Sequence, residues 1–392
     1  MANEKGFENI ANNLRKFREA KGLSQEELAK RVGISRVGYR KIETQKSLPR
    51  VSTLKALAEA LLITIQDLVT PVNELKHVRF RSQGNMNNRK VILDEISKKL
   101  EDYNDLEEIL DDHIASKINQ LISNKKFIKL KNKPKEAAAK VREVFSRGKK
   151  ETIHNIVGLL ESEGIKIISI RRTSNNFFGL SISEEDGGPA VVINIWERIS
   201  VERWIFTAVH ELAHLLFHLS AFDVRQIEEN EVEEKEANEF ASHFLMPDEA
   251  FDREWRQSSG MLFVDRVLKI KRIFKVSYKT VLYRIQEKYK GINPWKLFHQ
   301  GYKQKTNKSL TSIEEPDGLP NSAYWKSFPE SAKAKEPDDL SPHDFYGERL
   351  GALVRDALKL GKITLSRGAE ILGHDLMEMR EIAKDWAASG EK

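Results

Sequence analysis

The stretch from Thr207 to His218, TAVHELAHLLFH, sets His210, Glu211 and His214 in the spacing HExxH. On a helix, residues four apart share a face, so two imidazoles at this spacing can aim nitrogens at one metal ion. Glu211 projects beside them, placed to take a proton from a metal-polarised water rather than to bind the metal itself. Zinc acidifies such a water and polarises a carbonyl, which allows a peptide bond to be hydrolysed without a covalent nucleophile. The same stretch also reads as an apolar helix with three histidines along one side, so the pattern alone leaves core packing open.

A zinc site of this kind needs a third ligand. His218 continues the face, but it lies about 12 Å from His210 along a helix rising 1.5 Å per residue, too far to join one tetrahedron. The better source is NEVEEKEANEFASHFLMP, a second helix with Ala237, Phe240, Ala241 and Phe244 on its packed stripe. Glu234 precedes Ala237 by three and Ala241 by seven, which puts it on that stripe, whereas Glu236 points elsewhere and Glu233 is less well aligned. A carboxylate on a packed face is costly unless it meets a cation. His218 and His243 read as packing or surface histidines, and Trp196 and Trp204 as core.

A second constellation lies near the N-terminus, in LSQEELAKRVGISRVGYRKIETQKSLP. Ser24 and Glu27 form a capping box, Gly33 stops the helix it starts, and after Ile34 another helix begins at Ser35. Helix, tight turn and helix is the unit that lays a recognition helix in the major groove of duplex DNA. Gln25, Ser35, Arg36, Gly38, Tyr39, Arg40 and Lys41 are the candidate exposed residues. Small and polar groups can reach base edges, and the Arg and Lys side chains can neutralise phosphates. A helical protein-interaction module could share the same core.

The elements that must position these residues divide the chain of 392 residues into several parts. Residues 8–70 form a helical domain of four to five short helices, with Leu14, Leu28, Ala29, Val37, Ile42, Leu57 and Leu61 among its apolar positions. Residues 71–134 form a helical and basic linker region. Its run KKFIKLKNKPK reads as a solvated segment or as a nucleic-acid contact surface. Residues 135–290 mix helices with short strands ahead of the HExxH helix. Residues 291–344 are loop-rich, and 345–388 return to amphipathic helix. The expected fold class is α+β, mostly α.

Composition narrows the chemistry. There is no cysteine, which excludes disulfides, cysteine zinc sites, iron–sulfur clusters and thiol nucleophiles. The N-terminus lacks the pattern of a secretory signal and no later stretch approaches a membrane span, so a cytoplasmic protein with no membrane partner is expected. The formal net charge of +6 permits a nucleic-acid partner without demanding one.

Two resemblances sharpen these readings. Residues 10–69 resemble the XRE, or phage-repressor-like, helix-turn-helix family through LSQEELA and ISRVGYRKIE. That implies double-stranded DNA as a partner, with Gln25 contacting phosphate and supporting the recognition helix; a homodimer is compatible with it. FTAVHELAHLLFH followed by EKEANEFASHFLMP resembles the ImmA/IrrE family of zinc metallopeptidases, over about residues 135–290. The upstream GLSISEEDGGPAVVINIWERISVERW and the downstream FKVSYKTVLYRI match in order, and the tail from 345 to 386 resembles an extra piece of longer members. Ala213 stands where Gly is commoner and Val209 where Ala is commoner; both keep the face small and apolar.

The second resemblance implies that His210, His214 and Glu234 bind Zn2+, that Glu211 is the general base, and that Asn238 orients a histidine. Together the two imply a DNA-binding transcriptional regulator with a zinc-dependent endopeptidase domain. Its limited, regulatory cleavages would fall in a protein such as a helix-turn-helix repressor. A peptidase-like domain that senses a ligand without turnover, and a toxin–antitoxin or mobile-element component, are the alternatives.

Overall fold

The computed structural model describes residues 9–388 except 16, 19–20, 70–74, 83–88, 146, 149, 175–176, 197, 220–221, 223–229, 311–314, 317–344 and 346–347. The chain forms two compact units, one of residues 1–75 with 87–98 and the other of 76–86 with 99–392. The first contains five short helices: α1 (residues 9–15 and 17–18), α2 (Gln25–Val32), α3 (Arg36–Glu43), α4 (Val51–Leu61) and α5 (Ile65–Val69). Leu14, Leu28, Tyr39, Leu57, Leu61 and Leu68 are among its fully buried apolar side chains. The Ser24 hydroxyl accepts from the Glu27 amide and the Glu27 carboxylate accepts from the Ser24 amide, which starts α2 as its sequence predicts.

A long helix, α6 (Arg89–Leu110), begins in the first unit and ends in the second. The second unit then adds α7 (Lys117–Ile122), α8 (Lys125–Ile128), α9 (Pro134–Val144) and α10 (Ile156–Ser162) around a four-stranded sheet. Its strands are β1 (Val78–Ser82), β2 (Lys166–Ile170), β3 (Phe177–Ile182) and β4 (Ala190–Asn194), in the order β1-β3-β4-β2. β1 and β4 run antiparallel to β3, and β2 runs parallel to β4.

The HExxH helix α11 (Val201–Phe217) packs on β3 and β4. Gly179 makes that approach possible, because a Cβ there would come within 2.7 Å of both the Thr207 methyl and the Val192 carbonyl oxygen. α12 (Glu231–Leu245) lies between α11 and α9, joining Ala237, Phe240, Ala241 and Phe244 to the main core. α13 (Asp248–Gln257), α14 (Phe263–Phe274), α15 (Tyr278–Lys288) and α16 (Pro294–Thr306) follow, and α17 (Glu348–Lys359), α18 (Leu365–Leu372) and α19 (Leu376–Ala388) end the unit. This is the α+β, mostly α architecture expected.

Two segments differ from expectation. In the presumed linker 71–134, Val78–Ser82 is an edge strand of the sheet, and Ile118, Leu121 and Phe127 are buried in the core that holds α11 and α12. The periodicity there is too short-ranged to show which surface the apolar residues meet. Residues 291–344 were expected to be loop-rich, but α16 occupies 294–306. Asn293 caps it, Pro294 opens it, and Phe298 and Tyr302 stack in the core with Tyr278. The rest of that tract lies largely outside the described residues.

Candidate functional site

α11 and α12 meet where His210, His214 and Glu234 converge. His210 Nε2 is 3.0 Å from His214 Nε2. Each imidazole also approaches an oxygen of Glu234 at 3.2 Å, His210 meeting Oε2 and His214 meeting Oε1. Metal–ligand bonds of 2.0–2.1 Å in a tetrahedron would set ligand atoms about 3.3 Å apart, so the three donors are spaced for a single ion. They form the one group of three or more potential ligands of this compactness among the described residues, one atom from each lying within 4.8 Å of the others. Two imidazoles and a carboxylate, with no sulfur, suit zinc.

Local sequence aims these groups. The α12 N-cap, Asn230, accepts from the amides of Val232 and Glu233, so the helix begins one turn before Glu234. His210, Glu211 and His214 have no exposed surface. Burial holds the His214 imidazole well below its ordinary pKa, helped by His210 and Arg79 and opposed by Glu234. A neutral imidazole keeps the lone pair that a metal requires.

A further ring of side chains surrounds these three. Asn238 Oδ1 lies 3.0 Å from His210 Nδ1, where the resemblance predicts an orienting group. The Ser181 hydroxyl on β3 donates to Glu211 Oε2 at 2.9 Å. From β1, the Arg79 guanidinium donates to Glu234 Oε1 at 3.3 Å and also pairs with Glu233. His214 Nδ1 and His218 Nδ1 are 2.9 Å apart, and His218 Nε2 is 3.0 Å from Glu236 Oε2.

Sequence reasoning missed four of these residues. Arg79 fell in the expected linker and Ser181 in an unremarkable strand; the two are directly opposite in the sheet, Arg79 brought there by the pairing of β1 with β3 and Ser181 set against Glu211 by the packing of α11 on β3. His218 was read as packing or surface and Glu236 as pointing elsewhere. His218 lies beside His214 and Glu236 beside His218, and the spacing of four between His214 and His218 was the available signal.

In the first unit the candidate nucleic-acid face is α3. Arg36, Arg40 and Lys41 are exposed, as expected, along with Ser35, while Gly38 is half-buried. Tyr39 corrects the expectation: it is fully buried and its hydroxyl lies 3.3 Å from Glu43. Val37, counted with the core, is instead 65% exposed. Tyr39, Ile42 and Glu43 are spaced by three and four and turn inward together, and Val37, Arg40 and Lys41, spaced in the same way, turn outward. Gln25 donates from α2 to the Glu43 carboxylate, which also accepts from Arg18 at 2.8 Å, so it braces α3 from its neighbour.

Among the described residues, no helix is long and apolar enough to cross a membrane. The family model described as helix-turn-helix matches residues 14–68, and the model described as IrrE N-terminal-like domain matches residues 160–286. An uncharacterized HTH-type transcriptional regulator of Sinorhizobium fredii (strain NBRC 101917 / NGR234) is 38% identical over 65 residues, 17% of this chain and 84% of that protein.

Proposed function

The chain belongs to the helix-turn-helix transcriptional regulators and carries an IrrE N-terminal-like domain, and on that premise we propose that its second unit is a zinc-dependent endopeptidase. The observation that carries this reading is the convergence of His210, His214 and Glu234 with Glu211 beside them. In this reading the three would hold Zn2+, which supplies acidification of a water and polarisation of the scissile carbonyl. Glu211 takes the proton of the attacking water and passes it to the departing amine. Ser181 keeps the Glu211 carboxylate in place with its hydroxyl. Arg79 steadies Glu234 through its Oε1, and Asn238 steadies His210.

α3 docks on duplex DNA through Arg36, Arg40 and Lys41, with Ser35 and Gly38 near the base edges and Gln25 at a phosphate. The DNA-binding unit brings the peptidase to a regulated locus, where the substrate is a protein such as a helix-turn-helix repressor, a second copy of this chain included. Metal analysis of the purified protein should give one zinc per chain. A helix-turn-helix repressor offered as substrate should be cut by the wild type, and Glu211→Gln should lower that cleavage by at least about a thousandfold, the combined scale of losing a base and its positioning. Equal cleavage by Glu211→Gln would overturn the catalytic assignment. Regulation that survives Glu211→Gln but not Arg40→Ala would mark a domain that senses without turnover.

A further inference from the structure

We propose that Glu236 and His218 form a proton-ordering relay that keeps the ligating nitrogen of His214 bare, which makes both of them positioning residues of the metal centre. The inference rests on the reading of His210, His214 and Glu234 as a metal-binding set.

The order follows from hydrogen-bond chemistry and three distances. A carboxylate has no proton to give, so at 3.0 Å from Glu236 Oε2 the His218 Nε2 must be the donor. A neutral imidazole carries a single N–H, so His218 Nδ1 is an acceptor. His214 Nδ1, 2.9 Å away, can then only donate to it. Its own proton is thereby committed to Nδ1, and His214 Nε2 is left with its lone pair at 3.2 Å from Glu234 Oε1 and 3.0 Å from His210 Nε2. His214 has no exposed surface and His218 only 3%, surroundings that favour neutral rings.

The two histidines are served differently. Asn238 offers His210 an amide, which presents both an acceptor and donors on one side chain and so orients the ring without dictating its proton. The charged end of the other chain dictates direction. With Glu236 absent, His218 could carry its proton on Nδ1 instead, and His214 would then be driven to the tautomer that points a proton at the metal position. One helix supplies both carboxylates, Glu234 to the ligand set and Glu236 to its support. The spacing of HExxHxxxH supplies both histidines, since the residue too far from His210 to share a metal is one turn from His214.

The test uses the full-length, metal-stripped chain with nitrogen-15 in its histidines. Imidazole nitrogen shifts and couplings should place the proton of His218 on Nε2 and that of His214 on Nδ1. Glu236→Gln keeps the shape but can donate as well as accept. It should therefore give mixed tautomers at His214, and a zinc affinity, read by competition with a chromophoric chelator, lower by about tenfold or more. A proton on Nε2 of His214 in the metal-free wild type overturns the relay, as does a Glu236→Gln chain that binds zinc as tightly as the wild type. If Glu236→Gln does not fold, the wild-type tautomers decide alone. Should the folded wild type bind no zinc, the metal reading fails and the tautomers on the same sample still decide the relay.

Discussion

Two regions of this molecule share a backbone device and differ in what they display. α2, its turn and α3 are matched at the other end of the chain by α18, its turn and α19. Both first helices have eight residues, Gln25–Val32 and Leu365–Leu372. Ser24 accepts from the Glu27 amide and Thr364 from the Arg367 amide. Gly33 stops one helix at φ 72°, ψ 27° and Gly373 stops the other at φ 73°, ψ 27°. The following amides return to equivalent carbonyls, Ile34 to Ala29 at 3.0 Å and His374 to Ala369 at 2.9 Å. Ser35 then caps α3 and Asp375 caps α19.

The displayed faces are opposites. On α3 the exposed charges of the first two turns are Arg36, Arg40 and Lys41. At the start of α19, Asp375, Glu378 and Glu381 are exposed with Arg380 as the cation among them, alongside Leu376 and Met377. A cap, a left-handed glycine and a second cap are enough to build helix, turn and helix. Whether the product can approach a polyanion depends on side chains that have no part in building it.

Breaking the basic face should have the largest effect. Arg36→Ala, Arg40→Ala and Lys41→Ala combined should weaken binding to duplex DNA on the order of a hundredfold, and flatten the slope of log affinity against log salt by about 2.7, from three phosphate contacts at about 0.9 each. Fluorescence anisotropy across a salt series reads both, and an unchanged slope would remove α3 from the DNA. Smaller effects come from the turns. Gly33→Ala and Gly373→Ala meet no atom within 4 Å, so each should cost only the backbone strain of a positive φ, about 1–2 kcal/mol. Similar shifts in thermal denaturation would sharpen the geometric match, and very unequal ones would break it. Smallest of all is the expected response to Glu378→Gln with Glu381→Gln, which should leave DNA affinity unchanged within error. Tighter binding by that pair would place α19 beside DNA and end the contrast.

Legibility followed the range of the interactions involved. The capping box at Ser24 and the stop at Gly33 were readable because each involves neighbours within a few residues. His210 and His214 were readable for the same reason, and Glu234 because its spacing to Ala237 and Ala241 put it on a packed stripe. The Tyr39 and Val37 exchange shows how such reading depends on which apolar residues are taken together. Val37 lies five residues from Ile42 and Tyr39 three, so only Tyr39 shares the buried face of Ile42. Arg79 and Ser181 left no local trace, since Arg79 acquires its role from strand pairing and Ser181 from the packing of α11 on β3.

The sequence by itself determined the helix-turn-helix, the HExxH spacing and the donor types available to a metal, because dihedral preferences, caps and helical periodicity act between near neighbours. Only the tertiary structure decided that an arginine 155 residues before Glu234 would hold that carboxylate. It also decided that Ser181 would hold Glu211, and that His218 would stand between His214 and Glu236. Those contacts join separate elements. They exist because β1 pairs with β3, because α11 packs on β3 and because α12 packs along α11, which are consequences of burying apolar faces that no short window of sequence can match to one another.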